Sequence, residues 1–575
     1  MLSLVLAIND DLAAARAVFE KNIDAIRRRD RDAYLSLYLK SDRLVRSGPT
    51  GFVTGFDDFA GQAGSAWPDS IEALDMRLTP VADGIVYGTY RYRVRYGTEE
   101  RSGISERLFV KTDDGWKIAL TGAVDTPRGT PPPPRAITGA TLIDGRGGAP
   151  VPNANVVIRN GQIDCAGPPA VCPLPGGIDV FDARGLWITP GLVDAHVHFS
   201  QSGWADGRPD ALDVRPSHPY EKTVADLEAH PERFARSHLC SGVTSVFDAG
   251  GYPWTLRLAE RFRGDTLAPN VAAAGPLLST RDHWLNLPAA RQFMFAGDEA
   301  SARSGVRYLA AAGAKAVKVW YINESEPVIA AAGDEARGQK LPLIVHATEL
   351  AKAKAALRAG AKLLVHSVWD APVDEEFIAL MKQNDAILNP TLTVSSGYVR
   401  MFEAAAARTA PDIDDPNRCV DGATRARVAA TASVDPSVAG ATRIEERKRR
   451  SAQRDALSAA NLKRLAEAGV AIATGTDAGN PLTLHGPSIH AEMEAMQRAG
   501  MTPMQVIVAS TATAARAAGL DGRTGTIVAG KDADLLLVTA DPSKDVANFR
   551  RTRYVVRAGV LRPVGELSEM ARNFQ

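Results

Sequence analysis

With only four cysteines in 575 residues, the chain cannot be a disulfide scaffold, and no two of them have zinc-site spacing. Cys165 and Cys172 flank a short Pro/Gly-rich loop, where they either close a disulfide suited to an exported protein or remain two thiols. Cys240 and Cys419 read as solitary. No apolar run approaches the ~20 residues of a membrane-spanning helix, so no membrane partner is expected. Charge of one sign is also missing. The 67 Lys and Arg balance 67 Asp and Glu, which leaves no overall field to draw the chain to nucleic acid or an anionic membrane. The expected partner is a small molecule. No Gly-rich phosphate loop is present, which weighs against a doubly wound nucleotide-binding sheet.

A chain of this length divides into about three or four units at ordinary domain sizes. Met1-Leu-Ser-Leu-Val-Leu-Ala-Ile8 is short and lacks a basic flank. It reads equally as a helix lead-in or as the tail of a secretion signal, so periplasmic or secreted and cytoplasmic locations both stay open. From Asp10 to Ile26, Leu12, Ala15, Val18, Phe19, Ile23 and Ile26 follow helical spacing behind an Asn9/Asp10 cap signal. A second short helix is predicted from Ala33 to Tyr38, then a strand over Ile85 to Tyr96 and a hairpin over Arg107 to Leu120 that turns at Asp113-Asp114-Gly115. Helices followed by antiparallel strands make residues 1–126 an α+β domain. This stretch resembles the SnoaL-like group of the nuclear transport factor and ketosteroid isomerase type, a cone-shaped fold. Its expected role is dimerisation, making the chain a homo-oligomer, or shaping of a catalytic mouth.

Residues 127–135 are a stiff Pro-rich linker. Short strands follow in 136–190 (Ala136 to Ile143, Ala154 to Arg159, Gln162 to Ala166, Asp179 to Asp182), and a matching set returns in 521–575 (Thr526 to Val538, Tyr554 to Leu561). Together they are expected to form one small split β-domain. Between them, in 191–520, an Ala-rich helix, a Gly and a short apolar strand recur, as in Leu239 to Asp248, Ala311 to Trp320, Leu357 to His366 and Leu465 to Asp477. Alternating helix and buried strand imply parallel β-structure and, at this length, an α/β (β/α)8 barrel.

Barrel strands present their chemistry at their C-terminal ends. His196 and His198, in Ile188-Thr-Pro-Gly-Leu-Val-Asp-Ala-His-Val-His-Phe199, share one strand face, so two imidazoles can meet one metal ion. In Ala316-Val-Lys-Val-Trp320 the alternation turns Lys318 inward. There it is either the partner of a buried acid or a carbamylated lysine bridging two metals. His346 and His366 end the next two strands, and each alone reads as a satisfied core histidine. Asp477 ends the last strand, where a carboxylate either caps a helix or touches a metal and shuttles a proton.

These segments, with Thr141-Leu-Ile-Asp-Gly145, Thr474-Gly-Thr-Asp477 and Gly525-Thr-Ile-Val-Ala-Gly-Lys-Asp-Ala-Asp-Leu535, resemble the amidohydrolase superfamily. The likeness is specifically to its imidazolonepropionase-like and Xaa-Pro or Xaa-Arg dipeptidase branch, over about residues 136–565. The resemblance implies that His196, His198, Lys318 and Asp477 hold one metal and Lys318, His346 and His366 a second, usually Zn2+, with Mn2+ or Co2+ as alternatives. It implies hydrolysis of an amide, dipeptide, N-acyl amino acid or lactam C–N bond by a metal-bridging hydroxide, with Asp477 as proton shuttle. Where many dipeptidases carry an aromatic loop, this chain reads His346-Ala-Thr-Glu-Leu350, so that substrate contact does not carry over.

His485, in the loop after the last strand, is a candidate catalytic and substrate-binding residue; His283 and Tyr321 are weaker substrate contacts. The segment from Tyr398 to Gln453 is long enough for a helical lid, and its Glu445-Glu-Arg-Lys-Arg-Arg450 run reads as a solvated helix face. Competing readings are a lactonase or esterase, a phosphotriesterase or a deaminase on the same two metals, and a non-catalytic scaffold.

Overall fold

The computed structural model describes residues 2–48, 51–64, 66–97, 99–125, 135–280, 285–321, 325–440 and 444–569. The chain divides into two compact units, Met1–Pro131 and Pro132–Gln575, the boundary falling within the expected linker.

In the first unit a helix spans Leu2–Arg28, running through the Asn9/Asp10 pair that read as its cap, and a second spans Arg31–Ser36. Asp30 caps the second helix by accepting from the Ala33 N–H at 3.0 Å. Six strands form one sheet, the last four (Ser70–Ala82, Ile85–Tyr96, Glu99–Thr112, Gly115–Asp125) in antiparallel succession. The predicted hairpin turns where expected, with Thr112 opposite Gly115, but its strands run longer than the apolar pattern indicated. Ala15, Phe19 and Ile23 of the first helix pack on Tyr90, Phe109 and Ile118 of the sheet, which is what their helical spacing is for.

The second unit opens and closes with the split β-domain. Its eight strands (Arg135–Leu142, Val151–Arg159, Gln162–Gly167, Asp179–Asp182, Trp187–Pro190, Leu535–Val538, Thr552–Arg557, Val560–Pro563) make one sheet in which Trp187–Pro190 pairs antiparallel with Leu535–Val538. The strand expected from Thr526 begins only at Leu535, because the Gly/Lys/Asp-rich segment before it forms turns.

Between these halves lie parallel strands at Leu192–Val197, Val243–Asp248, Asn270–Ala273 with Leu277–Ser279, Val317–Trp320, Leu343–His346, Ala361–Val365, Ile387–Asn389 and Ala471–Ile472. The last rejoins the first: the Ala195 N–H donates to Thr474 O at 3.0 Å, Asp477 N–H to His196 O at 2.7 Å and His198 N–H to Ala478 O at 2.8 Å. The third meets the fourth through Lys315 N–H to Ala273 O at 2.8 Å. Gly360 and Gly469 take the left-handed conformation (φ +91° and +75°) that ends a helix and releases the chain into a strand. Small apolar residues, among them Val193, Ala195, Ala272, Ala316, Ile344, Leu363 and Ala473, fill the inside of the ring. Val317 and Val319 pack in the other core, with residues of the surrounding helices. Lys318 lies between them in sequence and is turned the opposite way.

The long connection before the last strand is helical, with helices at Val394–Ala407, Gly422–Ala429, Pro436–Ala439 and Ile444–Glu467. Cys240 and Cys419 correct the sequence reading: they form a disulfide, with Cα atoms 5.4 Å apart, between the helix Glu232–Cys240 and this connection. Nothing in their sequence neighbourhoods announces a pairing across 179 positions. Cys165 and Cys172 form the second disulfide, on the alternative that suits an exported protein. Among the described residues no helix is long and apolar enough to cross a membrane.

Candidate active site

Four imidazoles, a lysine and a carboxylate meet at the C-terminal ends of the strands. His196 and His198, two residues apart on the first strand, have ring centroids 5.1 Å apart; His366 stands 5.4 Å from His196, and His346 4.5 Å from His366. Asp477 faces them. Its Oδ1 lies 3.3 Å from His196 Nε2 and 2.9 Å from His198 Nε2, and its Oδ2 3.9 Å from His366 Nε2. Asp477 and His366 both hold positive φ (+61° and +70°), the strained backbone that aims these side chains inward.

The far side of each of these three rings is occupied. His196 Nδ1 lies 3.4 Å from Asn389 Oδ1, His198 Nδ1 2.5 Å from Gly250 O, and His366 Nδ1 2.6 Å from Thr391 Oγ1. A proton on Nδ1 donated to each oxygen leaves the three Nε2 lone pairs pointing at Asp477. This is the outer-shell arrangement that orients metal-ligating histidines. His196, His198 and Asp477 offer ligand atoms within 4.8 Å of one another, and the donor set fits a divalent transition metal.

Burial governs the charges. It pulls His196 and His346 well below the usual imidazole range and His366 to about 4, toward the neutral form a metal requires, while Asp477 pulls each the other way. Burial would raise Asp477, but His196, His198 and His366 outweigh it and hold the carboxyl well below its ordinary value. Lys318 is 2% exposed, and burial brings it down to about 7. Among the described residues it has no ion-pair partner. The acid that acts on it is Asp477, which raises it against burial from beyond ion-pairing distance.

These groups line a cavity of about 540 Å³ walled by Trp320, Trp369, Tyr398 and Phe402 together with several aliphatic side chains. Arg208, Asn480 and Tyr398 form a polar corner: Arg208 pairs with Asp210 at 2.7 Å and also donates to Asn480 Oδ1, to which the Tyr398 hydroxyl donates at 2.6 Å.

His485 does not line this cavity. Its ring stacks on Phe234 at 3.9 Å, its Nδ1 meets His238 Nε2 at 3.2 Å and its Nε2 meets Gln201 O at 3.1 Å. Burial lowers it to about 4 in this core position. The loop carrying it turns back against the Glu232–Cys240 helix, where a Cβ on Gly486 would stand 2.3 Å from Ser237 O. Tyr321 is also buried in the core, off the cavity wall. His283 lies outside the described residues.

Sequence reasoning missed Asp194 and Asp248, although both were readable. Asp194 shares the parity of His196 and His198, and Asp248 ends the second strand as His346 ends its own. Each carboxylate is fully buried and accepts backbone N–H groups: Asp194 from Thr476 at 2.9 Å, Asp248 from Phe199 at 2.7 Å. Burial raises them to about 7 and about 6.

Known proteins of similar sequence and fold identify the family. The family model of the amidohydrolase family matches residues 187–561. Ochratoxinase of Aspergillus niger is 27% identical over 433 residues, covering 67% of this chain and 78% of that protein. N-acyl-D-aspartate deacylase of Alcaligenes xylosoxydans xylosoxydans is 42% identical over 76 residues, 13% of this chain and only 14% of that protein. A crystal structure of a Xaa-Pro dipeptidase with bound methionine shares the fold, with a TM-score of 0.56 and 20% identity over 75% of this chain and all of that one. The chain belongs to the amidohydrolase family and is a hydrolase acting on carbon–nitrogen bonds.

Proposed function

We propose that the cavity hydrolyses an amide-type C–N bond with two divalent ions, zinc first and manganese or cobalt as alternatives. His196, His198, Lys318 and Asp477 would hold one ion and Lys318, His346 and His366 the other, Lys318 serving both in its carboxylated form. The observation that carries this reading is the convergence of three imidazole Nε2 atoms on Asp477 with their Nδ1 atoms already engaged. Bound ions of this kind bring the pKa of a coordinated water toward neutrality and polarise a carbonyl oxygen.

The rest is the work of the side chains. An amide nitrogen leaves poorly unless it is protonated, so the site needs a group that takes a proton from the attacking water and returns it to the nitrogen. Asp477 has that position, with both oxygens facing the ligand cluster. Asn389, Gly250 and Thr391 keep the rings in register through both proton transfers. The apolar walls keep bulk water from the reacting carbonyl.

The N-terminal α+β unit we assign to the SnoaL-like type with dimerisation as its task; light scattering of the full chain and of residues 132–575 tests this. The activity is tested by mass-spectrometric readout of a dipeptide, N-acyl amino acid and lactam library against the zinc, manganese and cobalt forms. Release of an amine and an acid from at least one class is expected. Opening of esters or lactones with no amide cleaved in any metal form would overturn the reading.

A further inference from the structure

The helix Ile444–Glu467 turns one face to the cavity: Arg447, Ser451, Arg454, Asp455 and Ser458 recur at helical spacing and all line it. The basic run that read as solvated thus reaches the substrate space. The helix is held there by Lys448, which pairs with Glu403 of the Val394–Ala407 helix at 2.5 Å, and the Cys240–Cys419 disulfide ties down the connection between its first two helices.

The cavity's arginines are not equivalent. Arg208 pairs with Asp210 and Arg450 with Glu446. Arg447 has no carboxylate partner among the described residues, and Arg454 has none within ion-pairing distance, although its charge acts on the adjoining Asp455; each lies over an aromatic ring. The Arg447 guanidinium carbon is 4.1 Å from the Phe402 centroid, and that of Arg454 is 4.9 Å from the Trp369 centroid. Arg447 is half-buried, and its Nε–H is shielded from solvent with no hydrogen-bond acceptor. A guanidinium over a ring keeps its N–H edge free, and that edge matches the two oxygens of a carboxylate. The nearby acid on this wall, Asp455, accepts from Ser451 at 3.3 Å; burial raises its carboxyl, and Ser451 and Arg454 pull it back.

Building on the amide-hydrolase reading above, we propose that Arg447, assisted by Arg454, binds a carboxylate of the substrate, and that the substrates are aromatic amides bearing a free acid. The aryl group fits the wall of Trp320, Trp369 and Phe402 beside which the two guanidinium groups stand. The helix carrying Arg447 acts as a specificity element supplied by the connection before the last strand.

Matched pairs differing only in the acid test this: N-aroyl amino acids against the corresponding amino alcohols, for example N-benzoyl-L-phenylalanine and N-benzoyl-L-phenylalaninol, with the zinc-loaded full chain and release of the aromatic acid as readout. The expected result is a higher kcat/KM for the acid in each cleaved pair. Arg447→Met should reduce the acid-over-alcohol ratio about 10- to 100-fold. Arg454→Met should reduce it less, and Arg447→Lys should fall between Arg447→Met and the parent. No preference for the acid, or a ratio unchanged in Arg447→Met with thermal stability intact, would overturn the proposal. If neither member of any pair is cleaved, the hydrolase reading fails separately, and calorimetry of N-benzoyl-L-phenylalanine with the metal-free protein decides the inference. Binding that weakens at least tenfold in Arg447→Met upholds it, and equal or absent binding refutes it.

Discussion

The Asp194 carboxylate accepts two hydrogen bonds from Thr476, from its N–H at 2.9 Å and its hydroxyl at 2.6 Å, and so fastens the first barrel strand to the last one residue before Asp477. Thr476→Val removes the hydroxyl and leaves a buried carboxylate short of a partner. A destabilisation of about 1–3 kcal/mol is expected in chemical denaturation, with metal affinity about 10- to 100-fold weaker in competition titrations. Unchanged affinity would mean that the two strands hold their register without this link.

Lys318 distinguishes a two-metal from a one-metal site. In Lys318→Met the shared ligand is gone, so metal content per chain should drop to one ion or fewer and turnover by about a hundredfold or more. Without metal, the variant should be at least as stable as the parent, because a buried amine is replaced by an apolar chain of similar length. A variant that keeps two ions would contradict the bridging role.

Glu492 gives a pH signature. It is fully buried, accepts from the Leu392 and Thr393 N–H groups at 2.7 and 3.0 Å, and is raised by burial from an ordinary 4.5 to about 7. Between those values the folded chain binds more protons than the unfolded one, so stability falls as pH rises. The contribution is complete below about 4.5 and lost through about 7. Glu492→Gln should flatten this part of the stability–pH curve. An identical slope in parent and variant would assign it to other groups.

The disulfides differ in what they close. Cys240–Cys419 spans 179 positions and Cys165–Cys172 only 7. Replacing the first pair by serine should cost about 2–5 kcal/mol and more than replacing the second. It should also loosen the helical connection, seen as faster amide exchange over 394–467. The reverse ranking would place the anchoring of this connection in its ion pairs, such as Arg427 with Asp206 at 2.9 Å.

The cluster of histidines, Lys318 and Asp477 was legible because its residues are chemically distinctive and sit at equivalent strand ends, where alternation alone turns Lys318 inward. The parallel barrel was legible from the recurring helix, Gly and strand. Other features depend on packing that local pattern does not encode. Arg447 belongs to a run whose charge favours solvent, and only the seating of its helix turns it to the cavity. Cys240 and Cys419 meet because that same connection folds back. His485 stands off the cavity because its loop turns back against the Glu232–Cys240 helix, where Gly486 lies close to Ser237 O.

The central claim is that Asp477 moves the proton within a metal site it helps to form. The most direct test is Asp477→Asn, assayed for turnover on the best amide found and for metal by elemental analysis of the same sample. The account predicts a loss of turnover of about a hundredfold or more with metal content near that of the parent. Turnover retained at near-parent level with the metal still bound would contradict it.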